Sequence, residues 1–131
     1  MTIITTQKKI AFSSKIVNNL PLTIQKRLPK EIAVIAVSEQ ESLKLNRRYR
    51  NKRKPTNVLS FRYDDTYGEI LVCPPVIRYE AKKQGNTQVF QMTWMVLHGM
   101  LHLAGLHHEK SEAMARRITH IEDTVLQKIF H

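Results

Sequence analysis

Residues 98 to 108 read HGMLHLAGLHH and carry four of the six histidines of a 131-residue chain. On an α-helix, His98 and His102 are four positions apart and leave one face about 6 Å from each other, a separation at which two imidazoles can share one cation. Gly105 can take positive φ, so the chain can leave the helix there and turn back. A third imidazole three residues later completes a facial set and leaves a fourth tetrahedral position for water, as in three-ligand catalytic zinc sites. Cys73 is the only cysteine, so no intrachain disulfide and no thiolate cluster can form. The spacing therefore predicts a metal held by histidine. Imidazole ligands make one zinc ion the first expectation, with nickel or cobalt as alternatives.

The pattern His-x-x-x-His-x-x-Gly-x-x-His is met by His98, His102, Gly105 and His108. It is the ligand frame of the metzincin proteases, which place a glutamate directly after the first histidine as general base. Here that position is Gly99. Peptide hydrolysis by that route lacks its proton acceptor, so a different base or a different substrate is required.

The elements that must position these groups can be read from periodicity and capping. Residues 2 to 6 suit an opening strand, and SSKIVNNLPLTIQKRL (13–28) suits a weak helix that Pro21 breaks or restarts. EIAVIAVS (31–38) has the β-branched content and length of a buried strand. Ser38 and Glu41 form a capping box that opens the helix EQESLKLNRRYR. PTNVLSFRY and GEILVC read as a hairpin joined across DDTY, and the alternation in VLSFRY predicts Phe61 in the core. PPVIRYEAKKQG suits a short helix with proline at its start and Gly85 beyond its end. Thr87 opens QVFQMTWMVLHGMLHLA, too apolar all round for a surface helix, and it should cross the core with Trp94 as packing. Ser111 caps a last helix, EAMARRITHIEDTVLQKIF. The expected class is α+β over residues 1–131 as a single metallohydrolase-like domain. Its central mixed sheet of about four strands packs with about five helices, one of them buried and carrying metal ligands.

Charge narrows the partner. Lys and Arg number 21 against 11 Asp and Glu, a net charge of +10. A polyanion is the natural partner, with nucleic acid ahead of a lipid surface because no long basic amphipathic helix is evident. Lys44, Arg47, Arg48, Arg50, Lys52, Arg53 and Lys54 fall in one acid-free run. Such a run can track an RNA backbone and release its counterions. No stretch approaches the roughly 20 apolar residues of a membrane span, and the first 20 residues lack the apolar block of a secretory signal. Six cations precede the first acid, Glu31, a transit-peptide-like composition. In so short a chain the weightier expectation is a cytoplasmic protein without membrane contact.

Two motifs resemble those of a known family. HGMLHLAGLHH is similar to the His-Gly-x-Leu-His-Leu-x-Gly-Tyr-Asp-His motif of the YbeY-type rRNA maturation endoribonucleases. LNRRYRNKRKPTNVLSF is similar to their Tyr-Arg and Pro-Thr-Asp/Asn-Val-Leu-Ser-Phe segment, and GEILVC to the strand that follows. The resemblance spans roughly residues 31 to 130. It implies a zinc-dependent, single-strand-specific endoribonuclease acting in rRNA maturation and ribosome quality control. His98, His102 and His108 would be its metal ligands. Arg50 matches a functionally required arginine and, with His98, would be catalytic. Arg47, Arg48, Arg50, Lys52, Arg53 and Lys54 would meet RNA. Implied partners are rRNA and the small ribosomal subunit, with ribosomal proteins or an Era-type GTPase beside them. The chain departs from the family where Leu106-His107 replaces Tyr-Asp, so two adjacent histidines compete for the third ligand role, and motif register favours His108.

On this reading the metal polarises a phosphodiester oxygen or activates water while the Arg50 guanidinium offsets developing charge. His107, Glu69, Glu109 and the metal-activated water itself are all candidate bases. Two rivals remain: a non-catalytic ribosome-associated factor with a structural metal, and a metallohydrolase of peptides or small esters with a carboxylate standing in for the missing glutamate.

Overall fold

The β-branched run Glu31–Ala36 forms β2, an inner strand of a four-stranded sheet. The computed structural model describes residues 2–6 and 13–130. Strand β1 (Ile3–Thr6) lies parallel to β2, with Ile4 opposite Ile32. Strands β3 (Val58–Arg62) and β4 (Tyr67–Val72) form the expected antiparallel hairpin, and β4 inserts parallel to β2. The order β1-β2-β4-β3 makes the sheet mixed and leaves β3 at an edge.

Between β1 and β2 the chain forms two short helices, α1 (Ser13–Asn19) and α2 (Leu22–Gln25). Pro21 separates them as the residue before α2, because its ring has no N–H to carry one continuous ladder. That split accounts for six α-helices among the described residues where about five were expected.

Helix α3 (Glu39–Arg50) starts on the capping box: the Glu41 N–H donates to Ser38 Oγ at 3.1 Å and the Ser38 N–H to Glu41 Oε1 at 3.4 Å. It stops at Asn51, whose φ of 54° is left-handed, and its last turn carries Arg47, Arg48 and Arg50 where the helix dipole favours cations. Helix α4 (Pro74–Gln84) leads into α5 (Gln88–Leu103), opened by Thr87, whose Oγ1 accepts from the Phe90 N–H at 3.1 Å. A 3₁₀ turn (His108–Lys110) and α6 (Glu112–Phe130) complete the chain, the N-terminus of α6 held by the Met114 N–H donating to Ser111 Oγ at 3.0 Å. No helix among the described residues is long and apolar enough to cross a membrane.

Strand β4 alternates in burial, with Gly68, Ile70 and Val72 turned toward α5. Gly99 sits where α5 comes nearest the sheet: a Cβ there would lie 2.8 Å from Ile70 Cγ2 and 2.9 Å from Ser60 Oγ. Ser60 bridges the two layers by donating to the Gly99 carbonyl at 3.1 Å. The core fills between this sheet face and α1, α5 and α6, with Ile16, Ile32, Ile70, Leu97 and Leu101 fully buried.

Phe61 corrects the sequence reading. Ser60 faces α5, so strand periodicity turns Phe61 to the opposite face. There it is half-buried outside the core and meets Tyr49 edge-on, ring centroids 5.1 Å apart. Val58 and Leu59 are both apolar and both buried, so the alternation had no unique phase to read.

Candidate metal centre

Helix α5 delivers His98 and His102 from one face, with ring centroids 4.6 Å apart. The chain then reverses through a Schellman-type ending: the Gly105 N–H donates to the His102 carbonyl and the Leu106 N–H to the Leu101 carbonyl, both at 2.9 Å. Gly105 takes φ of 89°, which a side chain would strain. Leu106 is then driven into the core at 0% exposure. This tight reversal brings the 3₁₀ turn back over α5, and the His108 ring lies 5.7 Å from both His98 and His102. One nitrogen from each of the three lies within 4.8 Å of the other two.

The donor set fits a transition-metal cation. His102 Nε2 is buried and has no hydrogen-bond partner. An orphaned imidazole nitrogen costs free energy unless something binds it, and a cation shared with two neighbouring imidazoles meets that need. Burial, and then the neighbouring His98, push the His102 pKa down to about 4. The ring is therefore neutral near pH 7, the form that ligates. The adjacent His107 is not one of the three. Its ring stands 5.0 Å from that of His102, and its Nδ1 is 3.9 Å from Glu109 Oε1.

His102 sets a pH dependence for the metal-free protein. Unfolded, it takes a proton near the ordinary 6.5, and folded only near 4. Between those values the unfolded state holds more protons, so stability rises with pH and is lost on acidification. In chelator, denaturant melts are expected to show the loss as pH falls from about 6.5 to about 4, with a shallower fall in His102→Gln. Equal slopes for the two proteins would contradict this.

His98 is supported from behind. Its Nδ1 is 2.7 Å from Glu122 Oε2 of α6, and Glu122 Oε1 accepts from Trp94 Nε1 at 3.1 Å. Trp94 is thus more than packing. Its i, i+4 relation to His98 puts both ring nitrogens on the face of α5 that meets Glu122.

A cleft of about 530 Å³ opens in front of the trio, lined by His98, His102, His108, Glu109, Tyr49, Arg50 and the edge segment Thr56–Phe61. Arg50 and the histidines, 48 to 58 residues apart in sequence, share this cavity. Buried polar side chains of α3 secure Arg50's end of it. Ser42 Oγ donates to the Thr56 carbonyl and accepts the Thr56 N–H, each at 2.8 Å, and Asn46 Nδ2 donates to the Lys54 carbonyl at 2.8 Å. The basic run is strapped to its helix by these contacts. Arg47, Arg48, Arg50, Lys52, Arg53 and Lys54 are all exposed, and none forms an ion pair among the described residues. Arg48 lies 5.4 Å from the centroid of the Tyr49 ring. Only Arg50 of the six lines the cleft.

Among the candidate bases, Glu69 is on the wrong side. It neighbours the inward Ile70 on β4, points to the opposite sheet face, and accepts from Tyr63 and Tyr67 hydroxyls at 2.8 and 2.7 Å. Glu109 is the carboxylate in the cleft. Its own backbone N–H, then His108, His102 and His107, hold its pKa below the usual carboxylate range. The position a metzincin gives to glutamate cannot take one here, because Gly99 has no room even for a Cβ against Ile70.

The sequence profile of the family described as Endoribonuclease YbeY matches residues 2–130. The chain belongs to this family. An Endoribonuclease YbeY of Thermotoga maritima is 34% identical over 124 residues, covering 89% of this chain and 83% of the relative. The one of Methylococcus capsulatus is 42% identical over 91 residues, 63% of this chain and 61% of the relative. A solution structure of a Thermotoga maritima protein superposes with a TM-score of 0.60 at 31% identity, covering 98% of this chain and 91% of that one. The family match reaches beyond the motifs at residues 45–61 and 98–108 to include α1, α2 and β1.

Proposed function

We propose that this protein is a zinc-dependent endoribonuclease that cuts single-stranded RNA in the cleft between Arg50 and the three histidines. The observation that carries the reading is the convergence, in one cavity, of a metal-competent imidazole trio and an arginine from a cationic surface, in a chain whose relatives are named endoribonucleases. His98, His102 and His108 would hold the cation, which when bound supplies Lewis-acid polarisation of a phosphoryl oxygen.

The chain's own residues do the rest. Arg50 grips a non-bridging phosphate oxygen pair and stays charged throughout. The rising negative charge at phosphorus then meets a fixed positive group. Glu109, the carboxylate that lines the cleft, would take the proton of the attacking hydroxyl or water. The unpaired cations from Arg47 to Lys54 hold the flanking backbone, and exposed Tyr49 at the cleft offers a ring edge to an unstacked base.

Glu109 is the carboxylate that a peptidase reading would need, but Arg50 in the cleft and the exposed cations that flank it in sequence favour a polyanion over a peptide. In the cell the proposed substrate is rRNA, met on the small ribosomal subunit in the cytoplasm, a reading that rests on the family resemblance. Cleavage of a single-stranded RNA with and without chelator tests the activity. Loss in chelator and recovery with zinc is expected, and chelator-insensitive cleavage would contradict it.

The basic run yields a second expectation. For single strands each phosphate contact contributes about 0.7 to the slope of log affinity against log salt. Lys52→Ala with Arg53→Ala is therefore expected to flatten that slope by roughly 1.4 in binding titrations. An unchanged slope would remove those two residues from the RNA path.

A further inference from the structure

We propose that Glu122 is the positioning residue that makes His98 a ligand: its carboxylate holds the proton on Nδ1 and so leaves the Nε2 lone pair free for the cation. The inference rests on the metal reading above and adds a residue that no motif contains.

Glu122 stands on the apolar stripe of α6, between Ile118 and Val125, and is only 6% exposed. It is the one buried acid among the described residues. A buried carboxylate persists only if its oxygens are satisfied, and here each has one donor. Trp94 Nε1 can only donate, and it takes Oε1 at 3.1 Å. His98 Nδ1 meets Oε2 at 2.7 Å, the length of a charge-assisted bond. An ionised carboxylate accepts and never donates, so the shared hydrogen sits on the imidazole. With Nδ1 protonated, a neutral ring has its lone pair on Nε2. Outer carboxylates that orient ligating histidines in this way typically change metal affinity 10- to 100-fold when lost.

Glutamine at this position exposes the logic, because it has the shape of glutamate but one acceptor and one donor. If its carbonyl faces Trp94, its amide N–H faces His98 Nδ1, which must then accept. The ring proton moves to Nε2 and blocks ligation. If its carbonyl faces His98, its amide confronts the indole N–H, donor against donor in a buried site. Both partners cannot be satisfied. Removing the indole donor frees the amide to turn its carbonyl to His98, so Trp94→Phe should rescue Glu122→Gln. A residue that merely fills space, or merely adds negative charge, predicts no such rescue.

The test measures zinc affinity by chelator competition in wild type, Glu122→Gln, Trp94→Phe and the double variant, with thermal melts to report folding. Glu122→Gln is expected to bind zinc about 10- to 100-fold more weakly, Trp94→Phe, which costs Oε1 its donor but leaves the His98 bond in place, to lose less than that, and the double variant to bind more tightly than Glu122→Gln. In the metal-free wild type, long-range proton–nitrogen NMR is expected to show His98 protonated at Nδ1, a readout that needs no variant to fold. Wild-type affinity in Glu122→Gln, no recovery in the double variant, or a proton on Nε2 of wild-type His98 would each overturn the proposal. Absence of zinc binding in wild type would instead overturn the metal reading on which it stands.

Discussion

His102→Ala is expected to yield a folded protein that neither retains zinc nor cuts RNA, with the cleavage rate lower by on the order of 10³-fold or more. Of the three proposed ligands it is the one whose buried Nε2 has no partner in the protein. Buried polar side-chain atoms are nearly always paired, and the proposed cation is the partner that would satisfy this nitrogen. Truncation removes both the donor and the unsatisfied group. The metal-free fold should consequently lose little, since an orphaned polar atom costs roughly 1–3 kcal/mol that alanine does not, which offsets part of the lost packing. Zinc content, single-turnover cleavage and a melt in chelator measure the three quantities. Cleavage within tenfold of wild type would place the chemistry elsewhere.

Arg50→Ala is expected to lower kcat by about 10²–10³-fold, the usual loss when one group that stabilises transition-state charge is removed. Zinc affinity should stay as in wild type, because Arg50 lines the cleft without contributing to the imidazole trio. Arg50→Lys should recover only part of the rate, as an ammonium keeps the charge but not the planar two-pronged grip on phosphate. Single-turnover rates at saturating RNA separate this from weaker binding. A change confined to KM would demote Arg50 to one more backbone contact like Arg53.

What could be read in the sequence divides along a physical line. The histidine trio was legible because helical period alone aligns His98 with His102, and because Gly105 marks the point where the chain can reverse. The capping box at Ser38 and Glu41, the hairpin and the proline-led helix α4 were legible for the same reason: each is a local rule satisfied locally. Arg50 could be assigned to the cleft only through the family resemblance, since spacing says nothing about a partner 48 residues away.

Other features depended on tertiary contact. Gly99 read as a missing base, and it is a steric requirement set on α5 by Ile70 of β4 and Ser60 of β3. Phe61 was assigned to the wrong face because Val58-Leu59 blurs the strand's phase. Glu122 belongs to neither motif and was not singled out from the sequence. A signal was present: it lies four residues after Ile118 and three before Val125, on the stripe that must be buried. An acid on such a stripe needs a partner, and the indole and imidazole four apart on α5 supply it.

X-ray absorption on the zinc-loaded protein tests the centre most directly. The expected spectrum has three imidazole nitrogens at about 2.0–2.1 Å, marked by scattering from the outer ring atoms, and one oxygen donor without such scattering, with the imidazole count falling by one in each of His98→Ala, His102→Ala and His108→Ala. A spectrum without imidazole scattering, or one that those three substitutions leave unchanged, would show that the ion is held elsewhere and that the cleft beside Arg50 is not where the metal acts.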